Sequence, residues 1–358
     1  MPNCRIITGI EHRIYPLPNH NQQQQFHNWI CASLPAAATL RGPLETRALT
    51  GDAGFRRYYR LNTEPSLIAV DSPPAKENNA AYVNIAMALQ SGGLRTPIIY
   101  AVDFAQGYLL LEDFGDQLLQ PLLNDQTVPQ LYALAETALL ELQQLPDNPA
   151  LFPRYSAQLL VDEMNLFKQW FMAELLGLEL QAEEAAMLDS LFSQLTRSAA
   201  EQPQVLVHRD YHSRNLMLVG ESSLGIIDFQ DAVWGPITYD LVSLLKDCYI
   251  RWPAEQTRQR ALAFKQRLGL CAEDQQFLRW FDLMGLQRHI KVMGIFARLA
   301  LRDNKQGYLR DLPLVIEYSL EAAQQYPECQ DFCRWFQQRV EPLLGSQSWY
   351  TEAREPQP

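Results

Sequence analysis

The densest chemistry in the chain lies in two neighbouring runs, VLVHRDYHSRNLML (205–218) and GIIDFQDAVWGPITYDL (225–241). In the first, an apolar strand ends at His208 and a loop presents Asp210, with Asn215 five residues later. In the second, Gly225-Ile226-Ile227 delivers Asp228. A loop carboxylate beside a hydroxyl can accept its proton as phosphoryl transfer proceeds. An Asn amide oxygen and a second carboxylate are hard oxygen donors of the kind Mg²⁺ shares with phosphates. Each residue alone has a plainer reading: Asp210 as a turn or cap residue, Asn215 as a turn amide, His208 as a packed histidine. Together, H-x-D-x-x-x-x-N followed thirteen residues later by I-D-F, each opened by an apolar strand, favours function. The cysteines at 4, 31, 248, 271, 329 and 333 are scattered. Cys329 and Cys333 lack a second close pair or a nearby histidine, so free thiols are expected rather than zinc or disulfides. There is no GxxxxGK[ST], GxGxxG or HExxH run.

Two textures of sequence must hold these loops. From about 47 to 113 the chain reads as short strands with one helix. Ser66 to Val70 is a strand stopped by Pro73-Pro74, and Asn78 to Gln90 is a helix closed by Gly92-Gly93. Ile98 to Val102 and Tyr108 to Leu111 form an antiparallel hairpin. Before them, Gln22 to Ala32 is an amphipathic helix with Phe26, Trp29 and Ile30 on one face. After Gly115 the period becomes helical: Pro129 to Leu145, Glu163 to Leu176, Ala182 to Ala199, Tyr239 to Ile250, Ala254 to Leu268, Asp274 to Asp303 and Leu312 to Gln325. Strands at Val205 to His208 and Gly225 to Ile227 interrupt them, with Leu216 to Val219 pairing across the turn.

At 358 residues and 47% apolar, the chain has material for two cores. A net charge of −11 excludes a general reader of nucleic-acid polymers, but not a local site for a small anion. No apolar run reaches membrane-spanning length, and the start carries no signal-peptide core. A soluble, cytoplasmic protein without membrane or obligate protein partners is expected.

The runs H208-R-D-Y-H-S-R-N215 and I227-D-F229 resemble the catalytic and metal-binding loops of the aminoglycoside phosphotransferase and choline-kinase-like superfamily, relatives of the protein kinases. The resemblance implies an α+β, protein-kinase-like, two-lobed fold. Residues 1–113 would form an N-terminal sheet lobe with a preceding helix, and 114–350 a helical lobe carrying the catalytic and metal loops. It implies ATP and Mg²⁺ as cofactors, Asp210 as catalytic base, Asn215 and Asp228 as metal ligands, and Asp240 as a brace for the loop. Glu112 and Phe114 fall where the superfamily places its adenine-binding hinge. The stretches GDAGFRRYYR, AVDSPPAKEN, LLLEDFGD and VHRDYHSRNLM are similar to one subgroup, the bacterial sugar kinases that phosphorylate the anomeric hydroxyl of N-acetylmuramic acid and N-acetylglucosamine in cell-wall recycling. The implied partners are a nucleotide and an amino sugar, with His212, Arg214, Asp231 and Trp234 near the acceptor; Arg214 would meet the transferred phosphoryl group, a lactyl carboxylate of N-acetylmuramate or a structural carboxylate. Phosphorylation of an aminoglycoside or choline, and a non-catalytic nucleotide-binding scaffold, are the alternatives.

One feature departs from the superfamily. The strand Leu67 to Val70 ends in Asp71 and carries no lysine; Lys76 is the only lysine in the first 167 residues. Three substitutes for the missing phosphate ligand stand open: Lys76; one of Arg56, Arg57 and Arg60; or Asp71 in a distinct nucleotide arrangement. Gly51 and Gly54 suit a phosphate-covering turn. Glu77 is either the partner of a phosphate-binding cation or a first-turn helix acid.

Overall fold

The computed structural model describes residues 20–49, 55–220 and 222–352. They fall into two compact units. One comprises the described residues up to Asn79 together with Ile98–Asp113; the other comprises Ala80–Pro97 and the chain from Phe114 onward.

The first unit is built on a five-stranded antiparallel sheet. Its strands are β1 (Thr46–Ala48), β2 (Arg57–Leu61), β3 (Leu67–Asp71), β4 (Ile99–Asp103) and β5 (Tyr108–Glu112), in the order β1-β2-β3-β5-β4. Opposed residues of antiparallel strands share a face, so the register fixes what each face carries. Ala69 lies opposite Tyr59 and Leu110, and Asp71 lies opposite Arg57 and Tyr108. Helix α1 (His20–Ser33) covers this face, burying Phe26 and Ile30 against Leu61, Leu67, Ala69, Tyr108 and Leu110. The alternate positions Ile68, Val70, Leu109 and Leu111 are buried too, which is why β3 and β5 read as unbroken apolar runs. The β4–β5 turn closes on Asp103, whose carboxylate accepts from the amides of Ala105 and Gln106. Gly107 is required there: φ is +76°, and a Cβ would stand 2.0 Å from the Ser72 carbonyl oxygen.

The second unit begins its described path with most of α2 (Asn79–Ser91), then continues through α3 (Val128–Gln143), α4 (Ala157–Leu166) and α5 (Ala182–Glu201). Two small antiparallel pairs follow. Strand β6 (Gln204–Val207) pairs with β9 (Val233–Pro236), and β7 (Leu216–Val219) pairs with β8 (Ser223–Ile226). The sequence pattern gave no strand at β9, because a run ending in Gly-Pro reads as irregular; it is tolerated at an edge, where β6 is its partner. Helices α6 (Tyr239–Leu245), α7 (Ala254–Arg267), α8 (Asp274–Arg302) and α9 (Leu312–Gln324) complete the main frame, with short helices beyond Pro327. Cys329 and Cys333 are buried there as free thiols.

The 29-residue α8 is the central post of this unit. On it, Gly294 lets another backbone approach closely: a Cβ would lie 2.3 Å from the Leu166 carbonyl carbon and 2.5 Å from the Phe167 amide nitrogen. At that point α4 widens into a π-helical stretch, Phe167–Leu175. Neither backbone has a flexible end that can give way. Gly294→Ala is therefore expected to lower unfolding stability by roughly 3 kcal/mol, the upper range for overpacking. Equilibrium denaturation in urea measures it; an unchanged midpoint would show that α4 and α8 separate freely.

Candidate active site

The loop after β6 is held by one buried carboxylate. Asp240, in the first turn of α6, accepts from the backbone amides of His208 (2.6 Å) and Arg209 (3.0 Å). The His208 ring joins this loop to the next. Its Nδ1 accepts from the Asp210 amide at 3.3 Å, which leaves Nε2–H to donate to the Ile227 carbonyl at 3.0 Å. Burial holds the imidazole neutral, with its pKa down to about 4, and only a neutral ring can make both bonds.

Arg209 and Asp228 both take left-handed backbone angles, φ +76° and +62°, unusual for residues with a Cβ. Arg209 is held there by a clamp. Its guanidinium pairs with Glu163 of α4, lies 5.4 Å over the Tyr155 ring and donates to the Asp231 carbonyl at 3.4 Å. Glu163 also accepts from the Tyr155 hydroxyl and pairs with Lys291 of α8 at 3.2 Å; Lys291 in turn donates to the Tyr239 hydroxyl at 3.1 Å. Burial alone would raise the Glu163 carboxyl, but Lys291, Arg209 and the hydrogen bonds hold it below the usual range.

The strained turn presents Asp210, which is half-buried. Burial would raise its pKa, yet the positive charges of Lys291, His212, Arg288 and Arg209 hold it down to about 2. Asn215 Nδ2 donates to the Asp210 carbonyl at 3.0 Å and approaches Asp228 Oδ2 at 3.4 Å; the Ile227 amide returns a bond to the Asn215 carbonyl. The amide nitrogen is thus spent on the two loops, and Oδ1 is the atom that could ligate a metal. Asp228 is exposed, and Gln230 donates to its Oδ1 at 2.8 Å. Two hard oxygen groups brought side by side fit Mg²⁺, which completes its shell with water and phosphate oxygens. Among the described residues no group of three His, Cys, Asp or Glu gathers as a self-sufficient metal centre. Phe229, next to Asp228, stacks on Tyr82 of α2 with ring centroids 5.0 Å apart. Tyr211 is fully buried and donates to the Ala135 carbonyl, so it packs the loop from beneath.

The other sequence-predicted residues separate into groups. His212 and Arg214 share Tyr249: the His212 ring meets it edge-on at 5.3 Å, and the Arg214 guanidinium stacks 3.5 Å from its centroid. Arg214 also donates to Gln120 at 2.9 Å and stands 3.9 Å from Asp311. Trp234 lies on β9 beneath an arginine of its own, Arg154, at 5.7 Å. Asp231 is exposed, its carbonyl engaged by Arg209. Phe114 is a packing residue: its ring occupies the space left by Gly225, and Arg95 covers it at 4.9 Å.

In the first unit the candidates for the phosphate cation are sorted by their partners. Arg60 is bound to Asp113 through two hydrogen bonds. Arg57 faces Asp71 at 3.8 Å on the sheet face that α1 covers. Lys76 sits 5.8 Å from the Phe55 ring. Arg56 forms a largely buried pair with Glu77 at 3.0 Å, and the other Glu77 oxygen accepts from the Phe55 amide. Glu112 exchanges bonds with the Ile98 backbone: its amide donates to the carbonyl, and its carboxylate accepts from the amide. Gly51 and Gly54 lie outside the described residues.

Sequence reasoning missed Glu163, Lys291 and Arg288. The available signal was a basic residue in the middle of an apolar stretch, as in Ile290-Lys291-Val292-Met293, a pattern that marks a buried charge with a partner.

The sequence and the fold each have relatives. A protein from Pseudomonas aeruginosa named N-acetylmuramate/N-acetylglucosamine kinase is 38% identical over 316 residues, covering 85% of this chain and 93% of the relative. One of the same name from Neisseria meningitidis serogroup B is 33% identical, covering 86% and 92%. Among solved structures, a Plasmodium vivax ethanolamine kinase superposes with a TM-score of 0.59 at 15% identity, covering 80% of this chain and 83% of that one. An ADP-bound aminoglycoside phosphotransferase, APH(2'')-Ib, superposes with a TM-score of 0.56 at 14% identity, covering 85% of this chain and 99% of that one, and the two-lobed α+β kinase-like fold expected from the sequence is the fold of these neighbours. The model of the phosphotransferase enzyme family, APH, matches residues 45–281, and the chain belongs to that family.

Proposed function

We propose that this chain transfers the γ-phosphoryl group of ATP to the anomeric hydroxyl of N-acetylmuramate and N-acetylglucosamine, in the cytoplasm, as a step of cell-wall recycling. The observation that carries the reading is the joined geometry of Asp210, Asn215 and Asp228, braced by Asp240 and His208. The names of relatives at 33–38% identity support the sugars as acceptors. In this reading residues 1–113 carry the nucleotide-facing lobe, with Glu112 and Phe114 at the hinge and Gly51 and Gly54 among the phosphate-binding residues. Residues 114–350 carry the acceptor and the catalytic loops. Asp210 orients the acceptor hydroxyl and takes its proton; Asn215 and Asp228 hold Mg²⁺. The metal, when bound, neutralises charge on the phosphates. His212 and Arg214 line the acceptor side, with Asp231 and Trp234 as further contacts.

The departure on β3 has a compensating arrangement. Arg56 is the phosphate cation in this reading, because Glu77 holds its guanidinium as an acid partner would hold a lysine. Lys76 and Arg57 are secondary choices, the latter engaged with Asp71. Arg56→Ala is expected to raise KM for ATP by about tenfold or more, as loss of one charge-assisted phosphate contact would. Arg57→Ala should change it by less than threefold. Steady-state kinetics that reverse this order would move the role to Arg57.

The reading is tested by ADP release with each sugar, with choline and with an aminoglycoside as acceptors, followed by phosphorus NMR of the product. A phosphate on the anomeric oxygen of the amino sugars is the expected result. Turnover on choline or the aminoglycoside alone would replace the substrate assignment, and no turnover on any would favour a nucleotide-binding scaffold.

A further inference from the structure

Arg288, on the same face of α8 as Lys291, lacks the Glu163 ion pair that Lys291 has and shares with it only the more distant field of Asp210. It is 2% exposed, its side chain donates to the Cys248 thiol at 3.1 Å, and no carboxylate lies within 4.0 Å of it among the described residues. A thiol is a weak acceptor, and a desolvated guanidinium without an anion is costly to the fold. Every other arginine described at the site has a carboxylate neighbour: Arg209 has Glu163, and Arg214 has Asp311.

The surroundings say where an anion would come from. Cys248 and Tyr249 are adjacent, and Tyr249 carries both the His212 ring and the Arg214 guanidinium. Three basic side chains therefore gather on one dipeptide, and one of them, His212, lies two residues from Asp210 along the loop. His212 Nδ1 is also buried without a hydrogen-bond partner. Three of the nearby carboxylates are engaged elsewhere: Asp247 accepts from the Ser213 amide and hydroxyl and from the Tyr249 amide, Asp311 faces Arg214, and Asp240 accepts from the His208 and Arg209 amides, which leaves Asp210 beyond ion-pair distance. Arg288 also feels the field of Asp210.

We infer that Arg288 is the specificity residue for an acceptor that carries a carboxylate, and that the lactyl carboxylate of N-acetylmuramate supplies its missing anion, with His212 as second donor. This rests on the proposed sugar-kinase reading and deepens it. N-acetylglucosamine has the same anomeric hydroxyl and N-acetyl group but no carboxylate, so the two sugars form an internal control. The Arg214 guanidinium, stacked on Tyr249 and bound to Gln120, then serves as a wall of the site rather than its anion receptor.

The test compares kcat/KM for the two sugars in the full-length protein and in Arg288→Met and Arg288→Lys. In Arg288→Met the ratio of N-acetylmuramate to N-acetylglucosamine is expected to fall about fifty-fold, the scale of one charge-assisted hydrogen-bonded pair. Arg288→Lys, which keeps the charge but loses the planar fork, should fall part of the way. Thermal unfolding supplies a readout that a purely structural arginine would move the other way. Replacing a buried cation that makes no close ion pair by methionine should leave the melting temperature equal or higher. An equal loss on both sugars, an unchanged ratio, or a melting temperature well below the parent would each overturn the inference. If the parent phosphorylates neither sugar, the sugar-kinase reading itself fails, a result distinct from an unchanged ratio in an active parent.

Discussion

Asp210→Asn is expected to lower kcat by about 10³-fold, equivalent to roughly 4 kcal/mol of transition-state stabilisation, while ATP affinity stays within a few-fold. The substitution keeps the size of the side chain and removes its charge. The loop around it does not depend on that charge: the Asp210 amide is held by His208 and its carbonyl by Asn215. In the proposed reading, what is lost is the acceptor for the hydroxyl proton. With its pKa held at about 2, Asp210 is a weak base toward a neutral hydroxyl. That suits a loose phosphoryl-transfer transition state, in which the proton leaves late and orientation of the nucleophile comes first. Turnover of Asp210→Asn within a few-fold of the parent, measured by ADP release, would remove Asp210 from this role. Calorimetric titration with ATP and Mg²⁺ separates that outcome from a damaged nucleotide site.

Glu163→Gln is expected to cost about 3 kcal/mol of unfolding free energy, within the range for removing one member of a buried ion pair, and also to lower kcat by about tenfold. One carboxylate serves both Arg209 and Lys291, so neutralising it leaves two buried cations facing each other. The catalytic loss has a separate cause. Arg209 sits at φ +76°, and the clamp is part of what holds it there; loosening it lets Asp210 move off its position. A structural effect alone would lower stability without changing kcat of the folded fraction. Adding Lys291→Met to Glu163→Gln removes the second cation and should recover at least about 1 kcal/mol, a coupling that a double-mutant cycle reads directly. Additive losses would show that Glu163 and Lys291 act independently.

How much of this was legible in the sequence depends on how far apart the cooperating residues lie. The Asp210 and Asp228 loops are each contiguous and flanked by their own apolar strands, so spacing alone exposed them. The sheet of the first unit followed from short apolar runs and from the proline stop after β3. The clamp was invisible because its members come from α4, the Asp210 loop, α6 and α8, and a glutamate on a helix looks like any solvated glutamate. Helix α6 was expected to run to Ile250 but ends at Leu245. There the chain turns out so that Asp247 can bind Ser213 and Cys248 can meet Arg288, contacts that no helical period announces. The choice among the first-unit cations was equally hidden, since Arg56, Arg57 and Arg60 differ in their partners and not in their type.

The thiol inventory opens a direct route to watching the protein at work. Cys31 of α1, in the first unit, and Cys271, in the second, are exposed, whereas Cys248, Cys329 and Cys333 are buried. Burial pushes the Cys248 thiol up to about 11 and Cys329 up to about 12, so neither forms much reactive thiolate at neutral pH. With Cys4 replaced by serine, a maleimide fluorophore pair would therefore enter at Cys31 and Cys271, one dye on each unit. Energy transfer between them would report, molecule by molecule, whether ATP, the sugar or both change the separation of the two units, without a single engineered cysteine.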